Sequence, residues 1–168
     1  MIAVLTQCFP SRIGGIESLI SNLSLCLSDK HKVVVFADRH HLFFDAIYDN
    51  KVKKKLIIRR TGGIKFFRRR RKIREFKLLL SSGKISCVIA DSWKSLELCS
   101  EFLVNKKVPT ICLAHGNELL NETSKKNLKV FNVLNNTNVV VANSDYTLNL
   151  VNKIGLKQPI LKKIHPGA

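Results

Sequence analysis

The sequence predicts an α/β fold of the Rossmann-like, doubly wound kind: a mostly parallel sheet with helices on both faces. Three observations carry this. Between Ile2 and Ala37 the chain reads strand, helix, strand, the unit that forces parallel pairing and a right-handed crossover. The strands are nearly continuous apolar runs, as in a sheet covered on both sides. Amphipathic helical patterns alternate with them along most of the chain.

Ile2 to Thr6 is a short apolar run followed by the loop CFPSRIGGIE. From Gly15, apolar residues recur at spacings of three and four (Ile16, Leu19, Ile20, Leu23, Leu27), which predicts a helix ending near Ser28 and Asp29. Lys32 to Ala37, KVVVFA, is a second strand rich in β-branched residues. Lys55 to Arg59 reads as a strand, Phe66 to Leu80 as a very basic helix, and Ile85 to Ala90 as a buried strand ending at Asp91. Ser92 to Val104 has helical spacing through Trp93, Leu96, Leu98, Cys99 and Phe102, and Val108 to Leu113 is another strand. Glu122 to Leu134 is a helix, Asn138 to Ala142 a strand, Ser144 to Lys153 a helix that Ser144 can cap, and Ile160 to Ile164 a last strand.

With 168 residues, 45% of them apolar, the expectation is one globular domain with a core of its own and no disordered stretch. Five cysteines, without C-x-x-C or finger spacing, read as reduced structural thiols of a cytosolic protein. The N-terminus reads as a first strand rather than a signal peptide, and no run approaches the roughly 18 apolar residues of a membrane span. A soluble or peripheral protein is expected. No spacing supports a metal site or a bound cofactor.

Charge is the unusual feature. Lys and Arg number 29 against 12 Asp and Glu, for a net +17, and 13 of the basic residues lie between Lys51 and Glu75 with one acid among them. So local a field points to a polyanionic partner: anionic lipid, a phosphorylated substrate or nucleic acid. Within it, Ile64 to Leu80, IKFFRRRRKIREFKLLL, interleaves aromatic and aliphatic residues with cations. On a helix this makes an apolar strip flanked by positive charge, suited to the headgroup boundary of an anionic membrane, with Phe66, Phe67, Arg68, Arg69, Arg70, Arg71 and Lys72 as the candidate contacts. The alternative is a solvated basic face whose apolar strip packs on the sheet. Nucleic acid is disfavoured.

Ligands of such sheets bind beyond the carboxyl ends of the strands. The polar residues there are the opening loop, Asp91-Ser92-Trp93, His115-Gly116-Asn117-Glu118 and Asn143-Ser144-Asp145. Gly14 and Gly15 either make a tight turn or let an anion approach the amides that open a helix. There is no G-x-G-x-x-G, and no acidic residue stands clearly at the end of the second strand to hold a ribose, which disfavours a dinucleotide dehydrogenase. His115 is either a loop histidine bonded to backbone or a donor to a sugar hydroxyl. His40 and His41 read as a surface pair, and Glu17 as a first-turn acid favoured by the helix dipole.

Four of these stretches, FPSRIGGIE, AHGNE, VVVANSDYT and IHPGA, in this order and at these strand ends, resemble the N-terminal, acceptor-side domain of the retaining GT-B glycosyltransferases of family 4, among them phosphatidylinositol mannosyltransferases. The resemblance covers essentially the whole chain. It implies transfer of a sugar, with retention, from a nucleotide diphospho-sugar to a lipid-linked or surface-polysaccharide acceptor, as part of cell-envelope polysaccharide or glycolipid synthesis at the inner face of the cytoplasmic membrane. Carried over, Gly14 and Gly15 lie beneath the donor phosphates and His115 serves the reacting centre. Arg12, Asp91 and Asn117 stand where acceptor contacts arise. In that family a C-terminal domain supplies the basic pair and the E-x7-E glutamates of the donor site. The chain stops at Pro166-Gly167-Ala168, so that domain is expected in cis or in trans, and the chain alone is expected to be inactive. A non-catalytic remnant that binds an acceptor, a membrane or a partner is the competing reading.

Overall fold

The computed structural model of the chain describes residues 1–120 and 124–166. The strands are β1 (Ile2–Leu5), β2 (Val33–Asp38), β3 (Leu56–Thr61), β4 (Cys87–Ala90), β5 (Thr110–Ala114), β6 (Val139–Ala142) and β7 (Ile160–Lys163). The helices are α1 (Gly15–Ser28), α2 (Leu42–Val52), α3 (Lys65–Ser81), α4 (Trp93–Leu96), α5 (Ser100–Asn105), α6 (Ser124–Asn135) and α7 (Asp145–Ile154). The strand order is β3-β2-β1-β4-β5-β6-β7, and every registered pair is parallel, as the doubly wound reading requires. The chain divides into two compact units, residues 1–91 and 92–168.

In the first unit, β1 lies between β2 and β4, with Leu5 opposite both Phe36 and Ala90. The order reverses between β1 and β4, so this unit contains the switch point at which strand-end loops diverge. All six residues of β2 are buried, which is why VVVFAD carries no polar alternation. Right-handed crossovers put α1 and α3 on opposite faces, because β1 to β2 and β3 to β4 run in opposite directions across the sheet. On one face Phe76 of α3 meets Phe36 edge-on at 5.6 Å, beside buried Ile73 and Leu80.

In the second unit, β6 pairs with β5 and β7. Buried Val130, Val133 and Leu134 of α6 and Val151 of α7 supply its core. Ser144 caps α7 by accepting from the Thr147 N–H at 3.1 Å, and Gly155, with φ 73°, ends it.

Two departures from the periodicity have physical causes. The helix α2 is additional, because its buried residues are Asp45 and Val52 while Leu42, Phe43, Phe44 and Ile47 are exposed, so no apolar face announces it. The segment expected as one helix from Ser92 is two, α4 and α5, separated at Cys99 by a residue with ψ −2°. The expected helix start at Glu122, and Gly167 and Ala168 at the end of IHPGA, lie outside the described residues. Of the cysteines, Cys99 and Cys112 are buried as expected of core thiols, whereas Cys26 is exposed.

Candidate functional site

The loop after β1 is held by charges contributed from distant parts of the first unit. Asp45, 2% exposed, has one carboxylate oxygen accepting from Ser11 Oγ at 2.7 Å and the Ser11 N–H at 3.3 Å. Its other oxygen accepts from the N–H groups of His40 and His41. Arg60 reaches in from β3 with its side chain 4% exposed, pairing with Asp45 at 3.3 Å and with both oxygens of Asp49. It also donates to the Pro10 carbonyl and lies over the Phe9 ring at 5.5 Å. Burial alone raises the Asp45 carboxyl, but the hydrogen bonds from Ser11 and His40 and the Arg60 charge outweigh it and hold the group below its ordinary range.

The strand ends on either side of the switch point are tied together. Asp91, 2% exposed, accepts from Thr6 Oγ1 at 2.7 Å and from the Gln7 N–H at 3.0 Å. Asp91 therefore acts on the loop, which fixes where any ligand of that loop would sit. Beside it, burial, with the Asp91 and Glu17 carboxylates adding to it, pushes the Cys8 thiol up to about 11, so Cys8 is a neutral thiol at physiological pH.

Gly14 caps α1 without a side-chain bond, and Gly15 opens the helix. A Cβ at Gly14 would collide with the Glu17 carboxylate, whereas one at Gly15 would meet nothing within 4 Å. Glu17 is buried in the first helical turn, and its Oε1 pairs with Arg12 Nε at 3.1 Å while Arg12 itself stays exposed. The two glycines thus differ: Gly14 makes room for the chain's own carboxylate, whereas a side chain at Gly15 would meet open space.

The end of β2 corrects the sequence reading. An acidic residue does stand there, Asp38, but it is 3% exposed and neutralised from within. Lys72 Nζ of α3 lies 2.7 Å from one of its oxygens, and Arg68 Nε lies 3.0 Å from the other. Lys72 also donates to the Thr6 carbonyl at 2.6 Å. Asp38 therefore serves the fold and has no oxygen turned to a ribose.

In the second unit His115 follows β5 and is partly buried, with its N–H donating to Glu118 Oε1 at 2.7 Å. The Glu118 carbonyl accepts from Trp93 Nε1 at 3.1 Å. Gly116 has φ +98°, a conformation that disfavours any side chain, and a Cβ there would press on Thr147 Oγ1 at 3.1 Å. Thr147 donates to Asn143 Oδ1 at 2.7 Å, which accounts for ANSDYT as a cap and support for this turn. Asn117 is exposed at its tip. Next to it an apolar cleft of about 640 Å³ opens among Leu119, Leu120, Leu128, Phe131, Leu150 and Ile154.

The basic segment separates into two populations. Lys72 is 2% exposed and belongs to the Asp38 pair, so it is not a membrane contact. Ile73, Phe76 and Leu80 share its buried face, so the expected apolar strip is the core face of a crossover helix. Arg68 is turned to Asp38, and Arg71 donates to the Gly62 carbonyl at 2.8 Å. Phe66 and Phe67 are 56% and 63% exposed and meet edge-on, with Arg70 over the Phe66 ring at 4.0 Å. No described helix is long and apolar enough to cross a membrane, and among the described residues no three His, Cys, Asp or Glu side chains could hold a metal ion.

Periodicity and motif reading missed Asp45, Asp49 and Arg60. Their only signal was a pair of acids four apart in a segment without an apolar stripe.

Known proteins share this architecture. The fold matches the crystal structure of Anabaena HepE in complex with UDP at a TM-score of 0.69 and 17% identity, covering 99% of this chain and 44% of that one. It matches the lipopolysaccharide outer core galactosyltransferase WaaB, apo form, at 0.61 and 14%, covering 94% of this chain and 43% of that one. A UDP-N-acetylglucosamine 2-epimerase from Rickettsia bellii matches at 0.61 and 12%, covering 99% and 45%. The chain spans less than half the length of each, and an epimerase among them means that the fold by itself does not name the reaction. No curated protein sequence matches significantly. The family model described as Glycosyltransferase Family 4 matches residues 13–168, from the glycine loop to the end of the chain, and by that match the chain belongs to glycosyltransferase family 4.

Proposed function

We propose that this chain is the acceptor-side domain of a retaining glycosyltransferase that moves a sugar from a nucleotide diphospho-sugar to a lipid-linked or surface-polysaccharide acceptor. The observation that carries the reading is the loop after β1. It stands at the switch point of the sheet, is braced by buried ions, and leads into Gly15, which opens α1 and where a Cβ would meet nothing within 4 Å. Solved neighbours described as complexes with UDP and with UDP-glucose favour a nucleotide-sugar donor.

In this reading Gly14 and Gly15 face the departing diphosphate, His115 donates to the donor sugar or the reacting centre, and Arg12 and Asn117 meet the acceptor. Catalysis rests on positioning and on electrostatic stabilisation of the leaving group. A second domain, in cis or in trans, supplies the remaining donor contacts. The protein works at the cytoplasmic face of an anionic membrane.

One observation favours the non-catalytic alternative: the Glu17 carboxylate already lies against Gly14, where a diphosphate would bring like charge. Transfer of labelled sugar from nucleotide diphospho-sugars to a membrane extract, by the protein carrying this domain, separates the two. His115→Ala is expected to lower kcat by about a hundredfold. Unchanged transfer removes the role given to the histidine, and a folded protein that transfers from no donor supports the remnant.

A further inference from the structure

Six of the ten large exposed apolar side chains of the first unit lie at the tips of two helices; Ile13, Ile47, Ile57 and Leu78 are the others. Leu42, Phe43 and Phe44 at the start of α2 are 71%, 63% and 55% exposed, and Ile64, Phe66 and Phe67 at the start of α3 are 75%, 56% and 63% exposed. Each tip contains a pair of phenylalanines meeting edge-on, at 5.6 and 5.4 Å.

The tips share one edge of the sheet. The strands β2 and β3 are parallel neighbours in register through Asp38 and Thr61, so α2 and α3 start beyond adjacent strand ends spaced by about 4.8 Å. The Arg39 N–H donates to the Thr61 carbonyl at 2.9 Å, and the Arg39 side chain lies along Gly62.

This edge presents no negative charge. Residues 39–44 and 62–74 contain no Asp or Glu, and the flanking Asp38 and Asp45 are 3% and 2% exposed and paired with Lys72, Arg68 and Arg60. Arg70 lies over the Phe66 ring, and Arg39 and Lys65, both exposed, are close in sequence to the aromatic pairs.

We propose that the α2 and α3 tips together form a docking surface for an anionic lipid bilayer, with the four phenylalanines entering the headgroup boundary and the cations meeting lipid phosphates. Aromatic rings close to cations, with every nearby acid turned inward, match that boundary in polarity and in charge. The inference rests on the membrane reading above and changes its geometry. The helix α3 does not lie flat, because its Lys72, Ile73, Phe76 and Leu80 face is committed to the sheet. It meets the bilayer end-on, with α2 as a second prong. The surface lies at the same sheet edge as the loop after β1, so the acceptor is delivered from the lipid phase.

Flotation of the chain with phosphatidylcholine vesicles, with and without phosphatidylglycerol, tests this. The wild type is expected to float with the mixed vesicles and to be released by high salt. The pair Phe43→Ser and Phe44→Ser, and separately Phe66→Ser and Phe67→Ser, are each expected to weaken binding by about tenfold or more with unchanged circular dichroism. Leu78→Ser, at a 66% exposed position near the far end of α3, is expected to bind as the wild type does. Wild-type chain that floats with neither vesicle overturns the membrane reading itself, and retention instead by a single-stranded oligonucleotide assigns the charge to nucleic acid. Binding lost in Leu78→Ser but kept in the Phe43 and Phe44 variant overturns the two-prong geometry alone.

Discussion

The two strand-end loops are built by opposite means. The loop after β1 is braced by ions from elsewhere in its unit: Asp45 lies 34 residues from Ser11, Arg60 50 from Pro10, and Asp91 84 from Gln7. The His115 turn is braced by hydrogen bonds and a close contact: Glu118 three residues on, Trp93 Nε1 donating to the Glu118 carbonyl, and Thr147 against Gly116. The first arrangement concentrates charge where an anionic ligand is expected and makes the loop depend on the whole unit. The second rests on one local carboxylate and on single contacts from Trp93 and Thr147.

The sharpest way to break this contrast is Arg60→Ala. It strands Asp45 and Asp49 and removes the cation over Phe9, and breaking a buried pair by deleting one partner costs about 3–5 kcal/mol. Urea unfolding should show a loss of that size. A loss below about 1 kcal/mol would mean that the loop does not depend on this ion network.

A smaller effect is expected in the local turn. Glu118→Ala leaves the His115 N–H without its carboxylate acceptor and should cost about 1–2 kcal/mol, whereas Glu118→Gln keeps an acceptor oxygen and should cost less. Equal losses in the two variants would show that charge, rather than the acceptor, matters there.

The smallest effect is confined to acid. Because the Asp45 carboxyl is lowered in the folded chain from 3.8, its contribution is fully present above that pH and is lost as pH falls through the lowered value. The stability difference between wild type and Asp45→Asn is therefore constant from neutrality to about pH 5 and shrinks below about pH 4. Urea midpoints measured across that range check it, and a difference that persists in strong acid would contradict the assignment.

The same contrast explains what could be read from the sequence. The parallel sheet was legible because Val33 to Ala37 and β4 are unbroken apolar runs, and the Ser144 cap because its partner is three residues away. The Glu17 position in the first turn was legible for the same local reason, although its contact with Gly14 and Arg12 was not. The helix α2 was not legible, since it buries a carboxylate in place of an apolar stripe. Nor was the fate of the basic segment: composition counts Lys72 and Arg60 as surface charge, but their counter-ions, Asp38 and Asp45, come from other elements. Long-range pairing of buried charge leaves no period in a sequence.

The positive φ of Gly116, with Thr147 against its missing side chain, has a consequence for how this turn can vary. Substitution at residue 116 is closed both by backbone conformation and by space, and substitution at Glu118 disturbs the support of His115. Exposed Asn117 is left as the position where mutational drift is cheap. A saturation library over 116–118 should therefore yield folded variants concentrated at one site, the one best placed to retune what the turn meets without dismantling it.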